Sequence, residues 1–439
     1  MRLLVIDHYG GDGMLDIVLR CQHAQHKVKW HIKKTDRNEF IGNGLADIVD
    51  DWRPWMRWAD LVVLADNTHY LREIDSWRKS PDHRIVGATV ESASWELDRK
   101  TGMNIFSKAG IPIPEFREFS NCEQAIKYVE KEQRGFCLKP CYDEADKNLT
   151  YLGKSPEMLI AMLRRFKEDH KLKGSFILQE LVQGIEFAVG GWIGPEGFIE
   201  GWCENWEEKK LMVGGIGPST GEMGTTIRYA KKSKLADKVL KPLEDAIVRT
   251  GHIGYVDVNC LIDEKGQPWP LEFTMRNGYP TFNIQQDLHE GDPAEWMLDL
   301  VEGRDPKCFI YDKIAVGVVM AQGDFPWSKL AIKEVVGFPI YGLDDLSNGV
   351  HLAQAMAGEA PCEENGKIVD QSCVLTAGDY VLVACGTSLT VRAARAGAYH
   401  VLDKIKMPNG PFWRIDIGQR LSKELPKLHA KGYAVGMEV

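Results

Sequence analysis

The sequence lacks any long hydrophobic run. No stretch of its 439 residues approaches the roughly 18 uninterrupted apolar residues of a membrane-spanning helix. The opening segment MRLLVID also lacks the basic region and the apolar stretch of a signal peptide. We therefore expect no membrane partner and a cytoplasmic location.

Paired cysteines with metal-site spacing are missing too, and so is an excess of positive charge. The ten cysteines are scattered singly, and the closest two, Cys137 and Cys141, have no second pair of Cys or His to complete a zinc site. This pattern predicts reduced thiols. The net charge of -9 gives no electrostatic basis for binding nucleic acid. The composition is that of an ordinary globular protein.

The start of the chain alternates short apolar runs with helical segments. The runs at 3–6, 61–65 and 84–87 predict strands of a parallel, doubly wound sheet. Ligands of such sheets lie beyond the C-terminal strand ends, where Asp7 and Asp66 would stand. The following segment HYGGDGMLD lacks the G-x-G-x-x-G spacing of a dinucleotide-binding loop and predicts a tight turn.

The pattern changes near residue 99. Alternating strands and helices over 113–183 predict a compact α+β unit. A glycine-rich loop at 214–224 and a helix over 231–250 are expected next, and two apolar strands then flank a turn at 263–266. The last part of the chain predicts strands and one late helix.

Two lysines lie on either side of a polar loop. Lys139 ends the apolar strand GFCLK, and Lys147 follows eight residues later. Ammonium groups at a strand end and on a loop can hold a polyphosphate from two sides. The alternative is that both are solvated surface charges.

The segment ILQELVQGIEF predicts a strand that turns and then resumes. Backbone groups of Glu180, Leu181 and Val182 can read an adenine edge, and the Glu186 carboxylate can accept hydrogen bonds from ribose hydroxyls. The alternative is an exposed hairpin that carries two acids.

Polar side chains interrupt two apolar strands, VDVNCLID and WPLEF. Asp257 and Asn259 share one face because side chains alternate along a strand, and Glu272 lies on the neighbouring strand. A carboxylate in such a strand is costly unless it is paired or metal-bound. Oxygen ligands of this kind suit Mg²⁺, so these residues predict a magnesium site, with Mn²⁺ as the alternative ion.

The segment GPSTGEMG combines three glycines with hydroxyl side chains. Backbone N–H groups can approach an anion in such a loop. A flexible surface loop is an equal alternative. The substrate-binding candidates from this segment are Ser219, Thr220, Gly221, Glu222 and Met223.

Together and in this order, these segments resemble the ATP-grasp fold, and more narrowly the phosphoribosylamine–glycine ligase family. The resemblance rests first on PSTGEMG, where the family has P-N-T-G-G-M-G, and on LEFTMRNGYP, where it has E-F-N-x-R-x-G-D-P. It continues through VVMAQGDFP, VLVACGTSLTVRAARAGAY and WRIDIGQR, which resemble the family's C-terminal domain. It thus spans nearly the whole chain.

The resemblance implies a multidomain α/β and α+β protein. Glu180 and Glu186 fall on the family's adenine-hinge and ribose positions, and Lys139 and Lys147 have the spacing of its two nucleotide lysines. The implied domains are an N-terminal doubly wound parallel-sheet domain over 1–98, an ATP-grasp domain over 99–312 with a lid over 113–183, and a C-terminal mixed β domain over 313–439.

The resemblance also implies an activity, the joining of a carboxylate to an amine with ATP and Mg²⁺ through an acyl phosphate. Arg99 stands where the family has a phosphate-contacting lysine, and with Lys139 and Lys147 it would neutralise charge as the γ-phosphoryl group moves. Arg276, with Asn277 beside it, would grip the substrate carboxylate. Arg99, Lys147 and Arg276 are therefore the catalytic candidates.

Several residues depart from the family's pattern. Thr274 replaces a metal-binding Asn, and Tyr279 and Thr281 replace two acids. Gly215 and Ile216 stand where the family has Asp and Lys. The N-terminal G-G-R-E-H is GGDGM here, and the lysine loop lacks the family's glycines. Because the ATP-site residues are mostly kept, the pattern predicts ligation with a different carboxylate, a different amine, or both.

Two alternatives stay open. One is glycinamide ribonucleotide synthesis in purine biosynthesis, and the other is a nucleotide-binding protein with little or no turnover. Retention of the phosphate and metal set argues against the second. We expect small-molecule carboxylate and amine substrates and a monomer or a small homo-oligomer.

Overall fold

The computed structural model of the protein describes residues 1–11, 13–141, 149–343 and 349–439. The candidate Lys147 lies outside the described residues. In the described part, no helix combines the length and the apolar character that crossing a membrane requires.

The N-terminal sheet is parallel and doubly wound, as predicted. Its strands pair in the order β3-β2-β1-β4-β5, and Asp7 ends β1 while Asp66 follows β4. The apolar runs form these strands because helices cover both faces of the sheet. The elements are β1 (Arg2–Asp7), α1 (Met14–His23), β2 (Lys27–Ile32), β3 (Ile48–Val49), a 3₁₀ turn (Arg53–Trp55), β4 (Leu61–Leu64), α2 (Leu71–Trp77), β5 (Ile85–Val86) and α3 (Val90–Leu97).

The next unit is a small antiparallel sheet in the order β6-β9-β7-β8, with two helices packed against it. Asn121 and Ser155 cap these helices with their side chains, which fixes where each one starts. The predicted α+β unit is confirmed. The elements are α4 (Arg99–Lys108), β6 (Phe116–Phe119), α5 (Cys122–Glu132), β7 (Phe136–Pro140), β8 (Tyr151–Gly153), α6 (Pro156–Glu168) and β9 (Phe176–Glu180).

The middle of the chain supplies most of a central antiparallel sheet. The elements are β10 (Ile185–Gly194), β11 (Gly197–Glu207), β12 (Lys210–Met212), β13 (Ile216–Ser219), β14 (Gly224–Ala230), α7 (Lys234–Val239), a 3₁₀ turn (Lys241–Leu243), α8 (Glu244–Arg249), β15 (Gly254–Ile262), β16 (Pro268–Thr274), α9 (Thr281–Gln285), a 3₁₀ turn (Gln286–Leu288) and α10 (Pro293–Val301).

Two predictions for this region are wrong. The helix expected over 231–250 is broken between α7 and α8, because Pro242 lacks an N–H group and cannot continue the α-helical hydrogen bonds. The glycine-rich segment 214–224 contains strand β13, paired with β12, and a further strand, β14, follows it directly.

The C-terminal part completes the central sheet, in the order β16-β15-β10-β11-β14-β17-β22-β19, and adds a smaller sheet, β18-β21-β20. The expectation of one late helix is wrong: α12 also forms, although Pro426 lies inside it. The elements are β17 (Ile314–Ala321), a 3₁₀ turn (Ile332–Glu334), β18 (Val336–Pro339), β19 (Val350–Leu352), β20 (Ala355–Glu364), β21 (Lys367–Ala377), β22 (Tyr380–Ser388), α11 (Val391–Lys404) and α12 (Leu421–His429).

Two apolar clusters cover the central sheet, one on each face. Along β15, the side chains of Val256, Val258 and Cys260 are fully buried in one cluster. Each fully buried valine contributes about 1.5–3 kcal/mol. Because β14 pairs with β17, the central sheet crosses the limit between residues 312 and 313 that is predicted to separate the ATP-grasp domain from the C-terminal domain. The residues on the two sides of this limit therefore share one core. The domain limits themselves stay predictions.

A buried group of charges joins α1 to the C-terminal strands. The imidazole of His351 on β19 is fully buried, with Nδ1 3.0 Å from Asp16 Oδ2 and Nε2 3.3 Å from Asp287 Oδ2. Arg20 Nε lies 3.0 Å from Asp16 Oδ2. Burial opposes the imidazolium charge, but the Asp16 and Asp287 carboxylates outweigh it and raise the pKa of His351 to about 9.

We expect His351→Gln to lower the free energy of unfolding by about 3 kcal/mol, since it removes the fully buried one of the two cations, His351 and Arg20, that Asp16 and Asp287 share. The pKa of His351 is raised from 6.5 on folding, so its stabilisation is complete below pH 6.5 and is lost as the pH rises through about 9. Urea unfolding at pH 6 and pH 10 measures both effects. His400→Gln, on the exposed side of α11, is the control. An equal loss of stability at high pH in wild type and His351→Gln would contradict this assignment.

Candidate active site

A cavity of about 330 Å³ lies between the small sheet, helices α3 and α4, and the hairpin β15–β16. Charged side chains line much of it. The acids are Glu96, Glu207, Glu222, Asp257 and Glu272, and the bases are Arg99, Lys139, Lys209 and Arg276.

The hairpin β15–β16 positions the predicted metal ligands. Asn259 pairs directly with Glu272, and Asp257 pairs with Thr274. Residues opposite each other in an antiparallel pair share a face, so these four side chains line one side of the hairpin. The alternation read from the sequence therefore gives the correct face.

Two oxygens in this set are orphaned. Asp257 Oδ1 and Asn259 Oδ1 are buried and have no hydrogen-bond partner among the described residues. Asp257 Oδ2 accepts from Asn205 Nδ2 at 2.7 Å and from the Tyr255 hydroxyl at 3.0 Å. Burial raises the pKa of Asp257 to about 7, with Glu207 as a further cause. Unsatisfied buried oxygens beside Glu272 fit a hard divalent cation such as Mg²⁺.

Lys209 is the centre of the charged cluster. Its Nζ lies 2.8 Å from Glu207 Oε2, 3.1 Å from Glu186 Oε1 and 3.6 Å from Glu272 Oε1. Burial opposes the ammonium charge, but the three carboxylates outweigh it and raise the pKa of Lys209 well above its ordinary value. Asn259 Nδ2 donates to Glu186 at 3.0 Å and to Glu207 at 2.9 Å. One cation thus holds acids from three strands together.

Arg99 reaches the same cluster from helix α4. Asp98 caps α4 by accepting from the backbone N–H groups of Lys100 and Thr101, and this fixes Arg99 at the first helical position. The Arg99 guanidinium forms an ion pair with Glu272. Helix α4 lies close to α3 at Gly102, where a Cβ would stand only 2.5 Å from a backbone oxygen.

Lys139 enters the cavity from the small sheet. It is the last residue but one of β7 and is almost fully buried, and its Nζ donates to the Leu271 carbonyl of β16 at 3.2 Å. Burial lowers the pKa of this ammonium group. Lys139 therefore presents a largely desolvated cation at the edge of the cavity, beside the Arg99–Glu272 pair.

Arg276 also lines the cavity, and its guanidinium is paired with Glu96 of helix α3. Its Nη2 is 3.3 Å from Glu96 Oε1, and Glu96 Oε2 accepts from Asn67 Nδ2 and from the Met275 N–H, both at 2.8 Å. Because Glu96 is nearly fully buried, this network fixes the direction of the guanidinium.

The segment after β13 folds back on Lys209. The Thr220 N–H and hydroxyl donate to the Lys209 carbonyl at 2.8 and 3.0 Å. Glu222 is buried behind this turn, where its Oε2 accepts from the Thr225 hydroxyl and lies 3.5 Å from the Thr281 hydroxyl. Burial raises the pKa of Glu222 well above its ordinary value.

The C-terminal part holds this segment in place. Glu208, beside Lys209, receives Arg420 Nε at 3.0 Å and Arg414 Nη2 at 3.3 Å. Asp416 Oδ2 accepts from the Gly214 N–H at 2.8 Å. The segment WRIDIGQR therefore anchors both ends of the hairpin β12–β13.

Some predicted site residues lie outside the cavity lining. Glu180, Leu181 and Val182 form the half-buried link from β9 to β10, and Glu180 pairs with Arg134 at 2.9 Å. The Met223 side chain lies in the apolar core. The remaining predicted residues outside the lining are Glu186 and Asn259, which contact lining residues, and Asn277, which is buried beside Arg276. Their roles stay predictions.

Sequence reasoning missed Glu96, Glu207 and Lys209. Glu207 and Lys209 lie in the charge run EEKK, which is typical of a solvated turn, and Glu96 sits in an ordinary helix. No local signal marks them, because the partners that place them at the cavity, Glu186 and Glu272 for Lys209 and Arg276 for Glu96, come from distant segments.

Comparison with known proteins extends these observations. No protein-family model matches the chain. Phosphoribosylamine–glycine ligase of Streptococcus pneumoniae is 26% identical over 354 residues, which cover 77% of this chain and 79% of the relative.

Solved structures agree in fold. Phosphoribosylamine–glycine ligase of Thermotoga maritima superposes with a TM-score of 0.72 at 18% identity, over 95% of this chain and 100% of that chain. Biotin carboxylase of Campylobacter jejuni superposes with a TM-score of 0.62 at 11% identity, over 98% and 97%. We conclude that the chain has the ATP-grasp fold and is a distant relative of the phosphoribosylamine–glycine ligases.

Proposed function

We propose that the protein is an ATP- and Mg²⁺-dependent ligase that joins a carboxylate to an amine through an acyl phosphate. The observation that carries the proposal is one cavity that combines two largely buried cations, Arg99 and Lys139, with the carboxylates of Asp257 and Glu272 and the guanidinium of Arg276, which Glu96 holds in place. The relationship to phosphoribosylamine–glycine ligase supports it.

On the nucleotide side, Arg99 and Lys139 neutralise the charge on the phosphates as the γ-phosphoryl group moves to the substrate carboxylate. Lys147 is proposed to do the same from the lid. The backbone of Glu180, Leu181 and Val182 would read the adenine.

Glu186 is proposed to bind the ribose. Its carboxylate is paired with Lys209 Nζ at 3.1 Å, and Lys209 contacts two further carboxylates. Ribose hydroxyls could therefore donate hydrogen bonds to the Glu186 carboxylate, and Lys209 would still be paired with Glu207 and Glu272.

Asp257 and Glu272, which line the cavity, would hold Mg²⁺, helped by Asn259 on the same face of the hairpin, since Asp257 Oδ1 and Asn259 Oδ1 have no hydrogen-bond partner among the described residues. When bound, the ion supplies positive charge next to the phosphates. Thr274, where the family has Asn, contributes a weaker ligand. Mn²⁺ could take the same oxygens.

On the acceptor side, Arg276 grips the carboxylate, because its planar fork matches two oxygens and Glu96 fixes its direction. The amine attacks the acyl carbon, the new C–N bond replaces the C–O bond to phosphate, and inorganic phosphate leaves. Ser219, Thr220, Gly221 and Glu222 form the opposite wall, with Met223 as their support from the core and Asn277 beside Arg276.

Tyr279 and Thr281, which replace family acids, both line the cavity and support a different carboxylate, a different amine, or both. Glycinamide ribonucleotide synthesis is the second candidate, because the relative from Streptococcus pneumoniae carries the name of that ligase. The cysteines are free, which favours a reducing cytoplasm.

We expect wild-type protein with MgATP to release ADP only when a suitable acid and amine are both present. The assay is a panel of amino acids, each with and without phosphoribosylamine. Glu272→Gln should reduce the rate at least about 100-fold, since it removes a charged ligand and the partner of Arg99. Glu264→Gln, exposed on the same hairpin, should match wild type.

Each outcome of the panel has a distinct meaning. Stimulation by glycine with phosphoribosylamine alone would favour glycinamide ribonucleotide synthesis. ATP binding without any stimulated ADP release would favour a nucleotide-binding protein over a ligase. Full activity in Glu272→Gln would contradict the assigned metal site.

We expect Arg276→Lys to raise KM for the carboxylate about 10- to 100-fold, because an ammonium group cannot make the paired hydrogen bonds of a guanidinium. KM for ATP should stay near the wild-type value. Steady-state ADP release at varied carboxylate and varied ATP separates the two effects, and Arg304→Lys on the exposed surface is the control. A raised KM for ATP with an unchanged KM for the carboxylate would contradict this role and indicate that Arg276 contacts the phosphates of ATP instead.

A further inference from the structure

Two buried acids of the cavity form no ion pair with any described residue. Arg99 pairs with Glu272, Lys209 pairs with Glu207, and Arg276 pairs with Glu96. Asp257 and Glu222 remain, and since Asp257 is proposed to hold the metal ion, Glu222 is the acid that the proposed chemistry leaves without a counter-charge. Both of its contacts come from hydroxyl groups. Burial raises the pKa of Glu222 because a buried carboxylate without a cation is costly, so an ammonium group on a ligand would supply the missing charge and favour the ionised form.

The two oxygens of the Glu222 carboxylate have different surroundings. Thr225 and Thr281 both approach Oε2, and Oε1 accepts no hydrogen bond from the described residues. Oε1 is not one of the fully buried polar atoms that lack a hydrogen-bond partner, so it keeps some accessible surface. Glu222 lines the cavity. Oε1 is therefore the atom that a ligand in the cavity would meet.

The sequence gives an independent reason to assign Glu222 a role. The segment PSTGEMG has Glu222 where P-N-T-G-G-M-G has glycine, while GYPT has Thr281 where G-D-P-E has the acid. In the fold these two positions are neighbours, with the Thr281 hydroxyl 3.5 Å from Glu222 Oε2. Relative to the family's pattern, this chain therefore carries an acid on the neighbouring segment instead of at position 281.

We propose that Glu222 is a specificity-determining residue that binds the ammonium group of an amine-bearing substrate, in place of an acid at position 281. The assignment of this ligand as a substrate rests on the proposed ligase function. Arg276 lies in the same cavity, so one compartment offers a cation for a carboxylate and an anion for an amine. Thr225 holds the carboxylate in place from behind.

Binding is tested first, on the full chain with MgADP. Ethanolamine and glycine supply an ammonium group, and ethylene glycol at the same concentration is the uncharged probe. We expect both amines to raise the thermal unfolding midpoint of wild type and of Glu264→Gln, but not of Glu222→Gln, which keeps the side-chain size. Equal responses in wild type and Glu222→Gln, or no amine response in wild type, would overturn the proposal.

Turnover is tested second, with the amine-bearing substrate that the ADP-release panel identifies. Glu222→Gln should raise KM for that substrate about 10- to 100-fold, the usual effect of losing a charge-assisted hydrogen bond, with KM for ATP and for Mg²⁺ unchanged. A raised KM for Mg²⁺ alone would overturn the proposal in favour of a metal ligand.

The double variant Glu222→Gly with Thr281→Glu returns the acid to its other position. We expect it to regain the amine-dependent midpoint shift that Glu222→Gly alone loses. The two proposals fail separately. Amine-dependent midpoint shifts without any ADP release would contradict the ligase function and support the ammonium site. ADP release that is unaffected by Glu222→Gln would support the ligase function and contradict the ammonium site.

Discussion

The candidate site depends on one constraint, that buried like charges must share a cation. The Lys209 ammonium lies within 3.6 Å of carboxylates from β10, β11 and β16, the last of which already pairs with Arg99. Without that cation, three acids would repel one another at the edge of the central sheet. The pairing allows polar side chains to line a cavity whose walls are otherwise built on an apolar core.

The same principle joins the distant parts of the chain. Arg414 and Arg420 converge on Glu208, next to Lys209, and His351 lies between Asp16 and Asp287. In each case a cation from the C-terminal part neutralises acids from earlier segments. The described residues of the C-terminal part therefore shape the cavity without lining it, because they hold Glu208, which precedes Lys209, and the hairpin β12–β13, which follows it.

The fold and the chemistry of the cavity constrain function to different degrees. Biotin carboxylase shares the architecture at 11% identity, so the fold alone does not specify a substrate. Within the cavity, Lys139 keeps the family's pattern and Arg99 keeps its positive charge, whereas Thr274, Tyr279 and Thr281 depart from that pattern. The proposed role of Glu222 would account for one of these departures, Thr281.

The sequence by itself determined the strands of the N-terminal sheet, the α+β unit and the shared face of Asp257 and Asn259, because apolar runs and strand alternation are local signals. The helix predictions failed where packing decided the outcome: Pro242 breaks the helix expected over 231–250, whereas Pro426 lies inside α12. Only the tertiary structure decided the partners of Lys209, Arg276 and Glu222. Glu272, Glu96 and Thr281, which contact Lys209, Arg276 and Glu222 respectively, lie far from them in the chain. The sheet order that brings such segments together is set by long-range packing, which no local spacing encodes.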